Sequence, residues 1–387
     1  MINRLDIENF KDIKSLSLNG LKQVTLISGK NNIGKTTILE SLLLLFNYKT
    51  SSLLVPVLGN RLIGYPVNIS FDQAVSGIFN NHDLTNRVVI KSNHDELIMK
   101  ITNQAQLLVQ NHSLPNNINA PTFSSGPTTQ VITDGLEIKY NQNGKPCYSG
   151  ISVKNSIQDN LYLPYIPSGL IPQIKMNKIA IINEFGELLK ADDFVSNSTS
   201  INTFLAQQKA LVREFNDIRT NYRHLIKKYL IPGLQLLDPD FEDIELGNDP
   251  LSTNQDSRIE FIKKGKSKPV PLSALGHGAK RLFSIILGAV STRDGILLID
   301  EIENGLHYSI IQDVWSMIFK LAKENNCQII GTTHAWEMPS YIVNESEDNK
   351  KIFAFVNIAK SKNNELITAT YDHQQFENSI LNNVEVR

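Results

Sequence analysis

The chain has 387 residues, with 38 Lys and Arg against 39 Asp and Glu and a net charge of −1. That length holds one large domain with an insertion, or two domains, and the charge balance excludes a globally basic nucleic-acid binder while leaving a local patch open. Two distant cysteines, Cys147 and Cys327, make neither a disulfide framework nor a zinc site. The start of the chain lacks a signal peptide's h-region, and Leu42 to Phe46 is too short to span a bilayer. A soluble cytoplasmic protein with no membrane partner is expected.

In chain order, the alternation of Leu5, Ile7 and Phe10, then Ile13, Leu16 and Leu18 before Gly20, predicts two short strands joined by a turn. They feed a strand at Val24-Thr25-Leu26-Ile27. Next comes Gly29-Lys30-Asn31-Asn32-Ile33-Gly34-Lys35-Thr36, a complete G-x-x-x-x-G-K-[ST] loop, followed by a helix from Thr37 to Asn47. A strand delivers such a loop, and the free N–H groups of the following helix face an anion. Lys35 would reach the β- and γ-phosphates of a nucleoside triphosphate, and the Thr36 hydroxyl would ligate Mg²⁺.

Residues 50–68 read as irregular. Arg87–Lys91 and Glu96–Ile101 read as paired strands across an Asn-His-Asp turn. Residues 103–160 read as a loop-rich antiparallel extension with weak strands at Gln130–Thr133 and Leu136–Tyr140. Between about Ser200 and Leu230 the period becomes helical, through Phe204, Leu211, Phe215, Ile218 and Leu225, ending near Pro232-Gly233. Basic residues intersperse this arm (Arg213, Arg219, Arg223, Lys227, Lys228), and Lys263 to Lys268 reads as a flexible basic loop. Both are more often solvated faces than nucleic-acid sites.

Three segments then carry chemistry. Leu272-Ser273-Ala274-Leu275-Gly276-His277-Gly278 runs into a helix over Arg281–Val290. Ser273 is a natural cap, and Gly276 and Gly278 leave room for backbone amides to approach an anion; simple capping explains the same residues equally well. Gly295–Asp300 is an apolar strand whose end presents Asp300, suited to the coordination shell of Mg²⁺, and Glu301, suited to activating a water. Cys327–Thr333 is a second buried strand. It ends at His334; an isolated histidine there suits a structural role, but its order after Asp300-Glu301, with one helix between, Ile310–Asn325, favours a bond to the γ-phosphate or the attacking water.

In this order, the pieces resemble the ABC-type ATPase heads of the Rad50, SMC and RecF kind. Within that group they are similar to the compact AAA-family ATPases related to the overcoming-lysogenization-defect (OLD) proteins. The resemblance rests on the Asn-Phe-Lys opening, Gly29–Thr37 as Walker A, Leu272–Arg281 as a divergent signature loop, Asp300-Glu301 as Walker B, Glu303–His307 as the D-loop and Thr333-His334 as the switch histidine. Gln73 is the nearest candidate for a Q-loop glutamine. The signature departs from Leu-Ser-Gly-Gly-Gln, and the chain resembles the group without its long coiled coil or a Toprim domain.

The resemblance implies an α/β P-loop NTPase with an ABC-ATPase-like mixed sheet, an antiparallel β lobe and an inserted helical arm. It divides the chain at 1–190, 191–235 and 236–387. It implies ATP and Mg²⁺, a homodimer or larger homo-oligomer closed by an ATP sandwich, with Ser273, Gly276 and Gly278 acting on the partner's ATP, and catalysis by Glu301 and His334. The setting it implies is an anti-phage defence complex with a separate effector such as a nuclease. The alternative is a DNA-repair ATPase that binds DNA directly. The atypical signature and the central insertion argue against a membrane-transporter subunit.

Overall fold

A computed structural model describes residues 1–46, 75–110, 128–154, 161–162, 179–184, 186–190, 203–248, 257–335 and 338–381. The stretch 50–68 and Gln73 lie outside the described residues.

The alternation at the start becomes an antiparallel pair, Arg4–Phe10 with Ile13–Asn19, whose register sets Leu5 opposite Leu18 and Ile7 opposite Leu16. A side-chain period of two puts these four on one face, and all four are buried. The pair does not share a sheet with the strand that follows it. It opens a seven-stranded antiparallel sheet in the order Ile13–Asn19, Arg4–Phe10, Val88–Ser92, Asp95–Gln110, Thr128–Gln142, Lys145–Lys154, Leu161–Tyr162. The strands foreseen on either side of Asn93-His94-Asp95 pair as expected, Val88 with Met99. The two weak strands near residues 130 and 140 are one continuous strand, Thr128–Gln142, because both neighbours pair along most of it.

Val24–Gly29 lies inside a second seven-stranded sheet, in the order Leu188–Lys190, Ile179–Ile182, Ile296–Ile299, Gln328–Thr333, Val24–Gly29, Phe353–Lys360, Leu366–Tyr371. Its five inner strands run parallel and its two edges antiparallel. Parallel strands need cover on both faces and so read as continuous apolar runs. Successive residues here go to opposite cores. Ile27, Ile181, Leu298 and Ile330 face the helix Lys35–Phe46 and the antiparallel sheet. Leu26, Ile182, Leu297 and Ile329 face the helices His277–Ser291 and Ile311–Glu324. A three-stranded antiparallel sheet, Phe241–Asn248, Ser257–Lys263 and Val270–Pro271, joins the second core through Phe241, Ile244, Ile259 and Phe261.

The helical period past residue 200 forms the helix Thr203–Asn221, then shorter turns that include a π-helical one at Ile226–Leu230. Phe215, Ile218, Leu225, Tyr229 and Leu230 are buried in the second core. The helical run ends at Gln235, close to Pro232-Gly233. Pro232 directly follows the π-helical turn, at the second residue of Ile231–Gln235, and Gly233 lets Ile286 and Met317 pack closely. No described helix is long and apolar enough to cross a membrane.

Candidate active site

The phosphate loop crowns the middle of the parallel sheet, at the carboxyl ends where ligands of α/β sheets collect. Gly29 is dictated by crowding, since a Cβ there would stand 2.7 Å from the Ile358 carbonyl oxygen of the next strand. Gly34, at φ 99°, turns the chain into the helix Lys35–Phe46. Lys30, Asn31 and Asn32 are exposed, while Ile33 and Thr37 are 6% and 0% exposed and anchor the loop in the protein. The Lys35 ammonium donates to the carbonyls of Gly29 (2.6 Å) and Lys30 (3.0 Å), inside the curve of the loop. Burial lowers its pKa, and the fields of Asp300, Glu301 and Glu303 oppose that shift.

The Walker B strand lies between Ile179–Ile182 and Gln328–Thr333 and carries two acids at its end. Asp300 is 3% exposed; its Oδ2 accepts from the Thr36 hydroxyl at 2.8 Å and its Oδ1 from the Thr332 hydroxyl at 2.5 Å. Two hard oxygen groups from segments 264 residues apart therefore meet at hydrogen-bond distance. Oxygen ligands that leave most positions to water and phosphate are what Mg²⁺ takes, so Thr36 and Asp300 fit that ion.

Glu301 holds a left-handed backbone at φ 49°. Such a conformation is costly without glycine and persists where its surroundings impose it. Here the Glu301 N–H donates to the Thr332 hydroxyl at 2.9 Å, and its carbonyl accepts from the Arg281 guanidinium at 2.9 Å. The turn aims the Glu301 carboxylate at His334, whose Nε2 lies 2.6 Å from Oε1. Asn304 approaches the other carboxylate oxygen at 3.4 Å. Both Glu301 and His334 keep about a third of their side chains open to solvent, at 32% and 34%.

The loop, Asp300, Glu301 and His334 thus converge as the sequence predicts. The signature residues behave differently. Ser273 does not cap the following helix: Gly276 is the N-cap with no side-chain bond, and Ser273 offers its carbonyl to Lys280 at 2.8 Å. A Cβ on Gly276 would meet open space, whereas one on Gly278 would stand 2.6 Å from the carbonyl oxygen of Gly305. The room left by Gly278 is filled by the D-loop of the same chain. No hydrogen bond among the described residues joins Ser273, Gly276 or Gly278 to the phosphate loop. Of the basic stretches, Lys263 pairs with Asp238 at 2.6 Å and covers the Phe241 ring, and Lys228 pairs with Glu324.

Three residues not singled out as site residues surround the acids. Arg281, fully buried, donates to the carbonyls of Asn183, Asp300 and Glu301. Burial pushes its pKa down to about 10 against the pull of Asp300, Glu303, Glu301 and Glu184, so it remains cationic at neutral pH. Glu184 lies two residues past the neighbouring strand Ile179–Ile182, and burial raises its pKa first, then the negative charges of Asp300 and Glu301. Glu303 accepts three hydrogen bonds from the His334 segment. The available signal was a lone arginine heading an apolar helical run, and a third acid two residues after Glu301.

A phosphate loop and a strand-end acid pair, facing each other across parallel strands, define a nucleoside-triphosphatase with a mixed sheet of the P-loop kind. The AAA ATPase domain family matches residues 1–338, and the chain belongs to that family and is an ATPase. It is similar to an "ATP/GTP phosphatase" of Helicobacter pylori, 23% identical over 360 residues that cover 87% of this chain and 86% of that one. An uncharacterized protein of Methanocaldococcus jannaschii is 41% identical over 64 residues, 16% of this chain and 29% of that one. Among solved structures, an SMC head bound to the C-winged helix domain of ScpA aligns at TM-score 0.47 and 13% identity, covering 96% of this chain and 98% of that one. An SMC head with an extended coiled coil, bound to the C-terminal domain of ScpA derived from Pyrococcus furiosus, aligns at TM-score 0.46 and 12% identity, covering 99% of each.

Proposed function

We propose that the chain is an ATP-gated dimeric clamp in which Glu301 and His334 perform the hydrolysis. The observation that carries this reading is the 2.6 Å contact of His334 with Glu301, beside an Asp300 already bonded to Thr36. Gly29 to Thr37 would wrap the phosphates, with Lys35 against the β- and γ-oxygens. Thr36 and Asp300 would hold Mg²⁺, which supplies neutralising charge to the phosphates when bound. Glu301 accepts the proton of a water whose oxygen attacks the γ-phosphorus while the bond to the β-phosphate oxygen breaks. His334 holds Glu301 in place and stands where it reaches the γ-phosphate. The phosphatase name of the Helicobacter pylori relative supports hydrolysis and makes GTP a second nucleotide to test.

The same reading assigns Ser273, Gly276 and Gly278 to the ATP of a partner copy. That none of them bonds to its own phosphate loop supports the assignment. It divides the chain into an N-terminal ATPase lobe at 1–190, a helical arm at 191–235 and a C-terminal ATPase lobe at 236–387. The setting, a cytoplasmic anti-phage complex with a separate effector such as a nuclease, is supported by the resemblance of the motif set to defence ATPases.

ATP and GTP turnover and solution mass of wild type and Glu301→Gln, with and without nucleotide, test the reading. A general base contributes about 10²–10⁴ in rate, so turnover falls by at least about a hundredfold, and the variant accumulates a nucleotide-held dimer. Normal hydrolysis by Glu301→Gln, with a mass that ignores ATP, overturns it.

A further inference from the structure

We propose that Glu303 is a positioning residue for His334, locking the D-loop and the switch-histidine segment into one moving body. This rests on the roles given above to Glu301 and His334. Past Thr333 the chain leaves the parallel sheet, and the amides of His334 and Ala335 no longer have a strand to donate to. A single oxygen, Glu303 Oε1, takes both, at 2.7 and 3.0 Å, and also accepts from the Thr333 hydroxyl at 3.0 Å. Bonds from N–H groups to an ionised carboxylate are stronger than neutral ones, and three converging on one atom fix the segment's orientation.

Glu301 and Glu303 belong to one tight turn, closed by Asn304 N–H to Glu301 O at 2.9 Å and Leu306 N–H to Glu303 O at 3.0 Å. That turn grips His334 at both ends: Glu303 holds its backbone amide, and Glu301 meets its imidazole at 2.6 Å. The other Glu303 oxygen is buried and has no hydrogen-bond partner among the described residues. A purely structural cap would not need to bury a half-satisfied carboxylate, since a buried polar atom without a partner is costly. The far side of the turn is fixed as well. A Cβ on Gly305 would fall 2.1 Å from the His277 ring, so the turn sits tight against the start of the signature helix. Displacement of that helix is therefore passed to the turn, and Glu303 passes it on to His334.

The test is a double-mutant cycle over Glu303→Ala and His334→Ala, with kcat and ATP Kd measured for each variant. Misplacement of a catalytic group by about 1 Å costs on the order of a hundredfold, so Glu303→Ala lowers kcat by about ten- to a hundredfold. ATP Kd is unchanged, and Glu303→Gln, which keeps an acceptor oxygen, recovers part of the loss. In the His334→Ala background, Glu303→Ala costs nothing further, because its effect passes through the histidine. Multiplicative losses, or weakened ATP binding in Glu303→Ala, overturn the proposal while leaving His334 catalytic. A His334→Ala variant with wild-type turnover overturns the role of His334 and this inference with it. If Glu303→Ala does not fold, Glu303→Gln carries the same cycle.

Discussion

At the scale of single residues, the site is organised by groups that hold backbone. Arg281 spans the carbonyls of Asn183, Asp300 and Glu301, tying the ends of two parallel strands to a helix and bracing the left-handed Glu301. A planar guanidinium spreads its donors over separate nitrogens in a fixed fork and so reaches three spaced carbonyls, whereas an ammonium offers its donors from a single point. Arg281→Lys is expected to cost about 1–3 kcal/mol in urea unfolding and to slow turnover at unchanged ATP affinity. Arg281→Met takes the guanidinium from the Asp300 carbonyl, leaves those of Asn183 and Glu301 to the Gly186 and Asn304 amides, and removes the buried charge that faces Asp300, Glu303 and Glu301, so it costs more, about 3–5 kcal/mol. Equal stability of the three proteins would show that the carbonyls find other donors. The pairing of Asp300, Glu301 and His334 was legible in the sequence because each ends an apolar strand, where chemistry is advertised by position. Arg281 and Glu303 lay within the signature-loop and D-loop motifs, but their tasks were not legible, because what they hold is largely main chain from distant segments, which motif spacing does not show. Ser273 misled for the opposite reason. Its local spacing suited a cap, but Gly276 begins the helix instead.

Among elements, the contact between the antiparallel sheet and the phosphate-loop helix contains a buried ion pair. Lys11, in the turn after the first strand, meets Glu40, in the middle of the helix Lys35–Phe46, at 2.7 Å, with both side chains 5% exposed. Lys11 adopts φ 50° to get there, and its carbonyl accepts from Asn80 at 2.7 Å. Removing one partner of such a pair takes away charge that offsets the other inside the core. Glu40→Ala is therefore expected to lose about 3–5 kcal/mol by chemical denaturation, and the double change Lys11→Met with Glu40→Leu to regain most of it. A double variant no better than Glu40→Ala alone would mean that the pair contributes more than its own neutralisation. The Asn-Phe-Lys opening was visible from the start as a family mark, but its partner in the helix was not, since a glutamate in an apolar helix also suits solvent.

On the scale of the whole molecule, the parallel sheet was foreseen at its strongest strands, Val24–Gly29, Ile296–Ile299 and Gln328–Thr333. The strand order, and the place of Ile179–Ile182 beside Walker B, came only with the fold, because apolar runs do not say which neighbour they pair with. One thiol reports on this core. Burial pushes Cys327 up to about 11, whereas Cys147 is partly exposed. Thiolate is the reactive form, so at pH 8 a disulfide reagent is expected to titrate Cys147 quickly and Cys327 only at the rate of global opening. Rapid reaction of both in native protein would show that the sheet opens locally beside Walker B.

The strand that carries the phosphate loop has a place in time as well as in space. Both of its neighbours, Gln328–Thr333 and Phe353–Lys360, come from the far end of the chain, and Gln328 clasps the backbone of Ile2 from 326 residues away. At translation speeds of about 5–20 residues per second, the loop strand waits roughly 15 to 60 s on the ribosome for its first partner. Until then it has no strand on either side, and the acids that would complete the nucleotide site have yet to join it. A nascent chain is thus unable to hydrolyse ATP until the strand Gln328–Thr333, which leads into His334, has been made and has paired beside the loop.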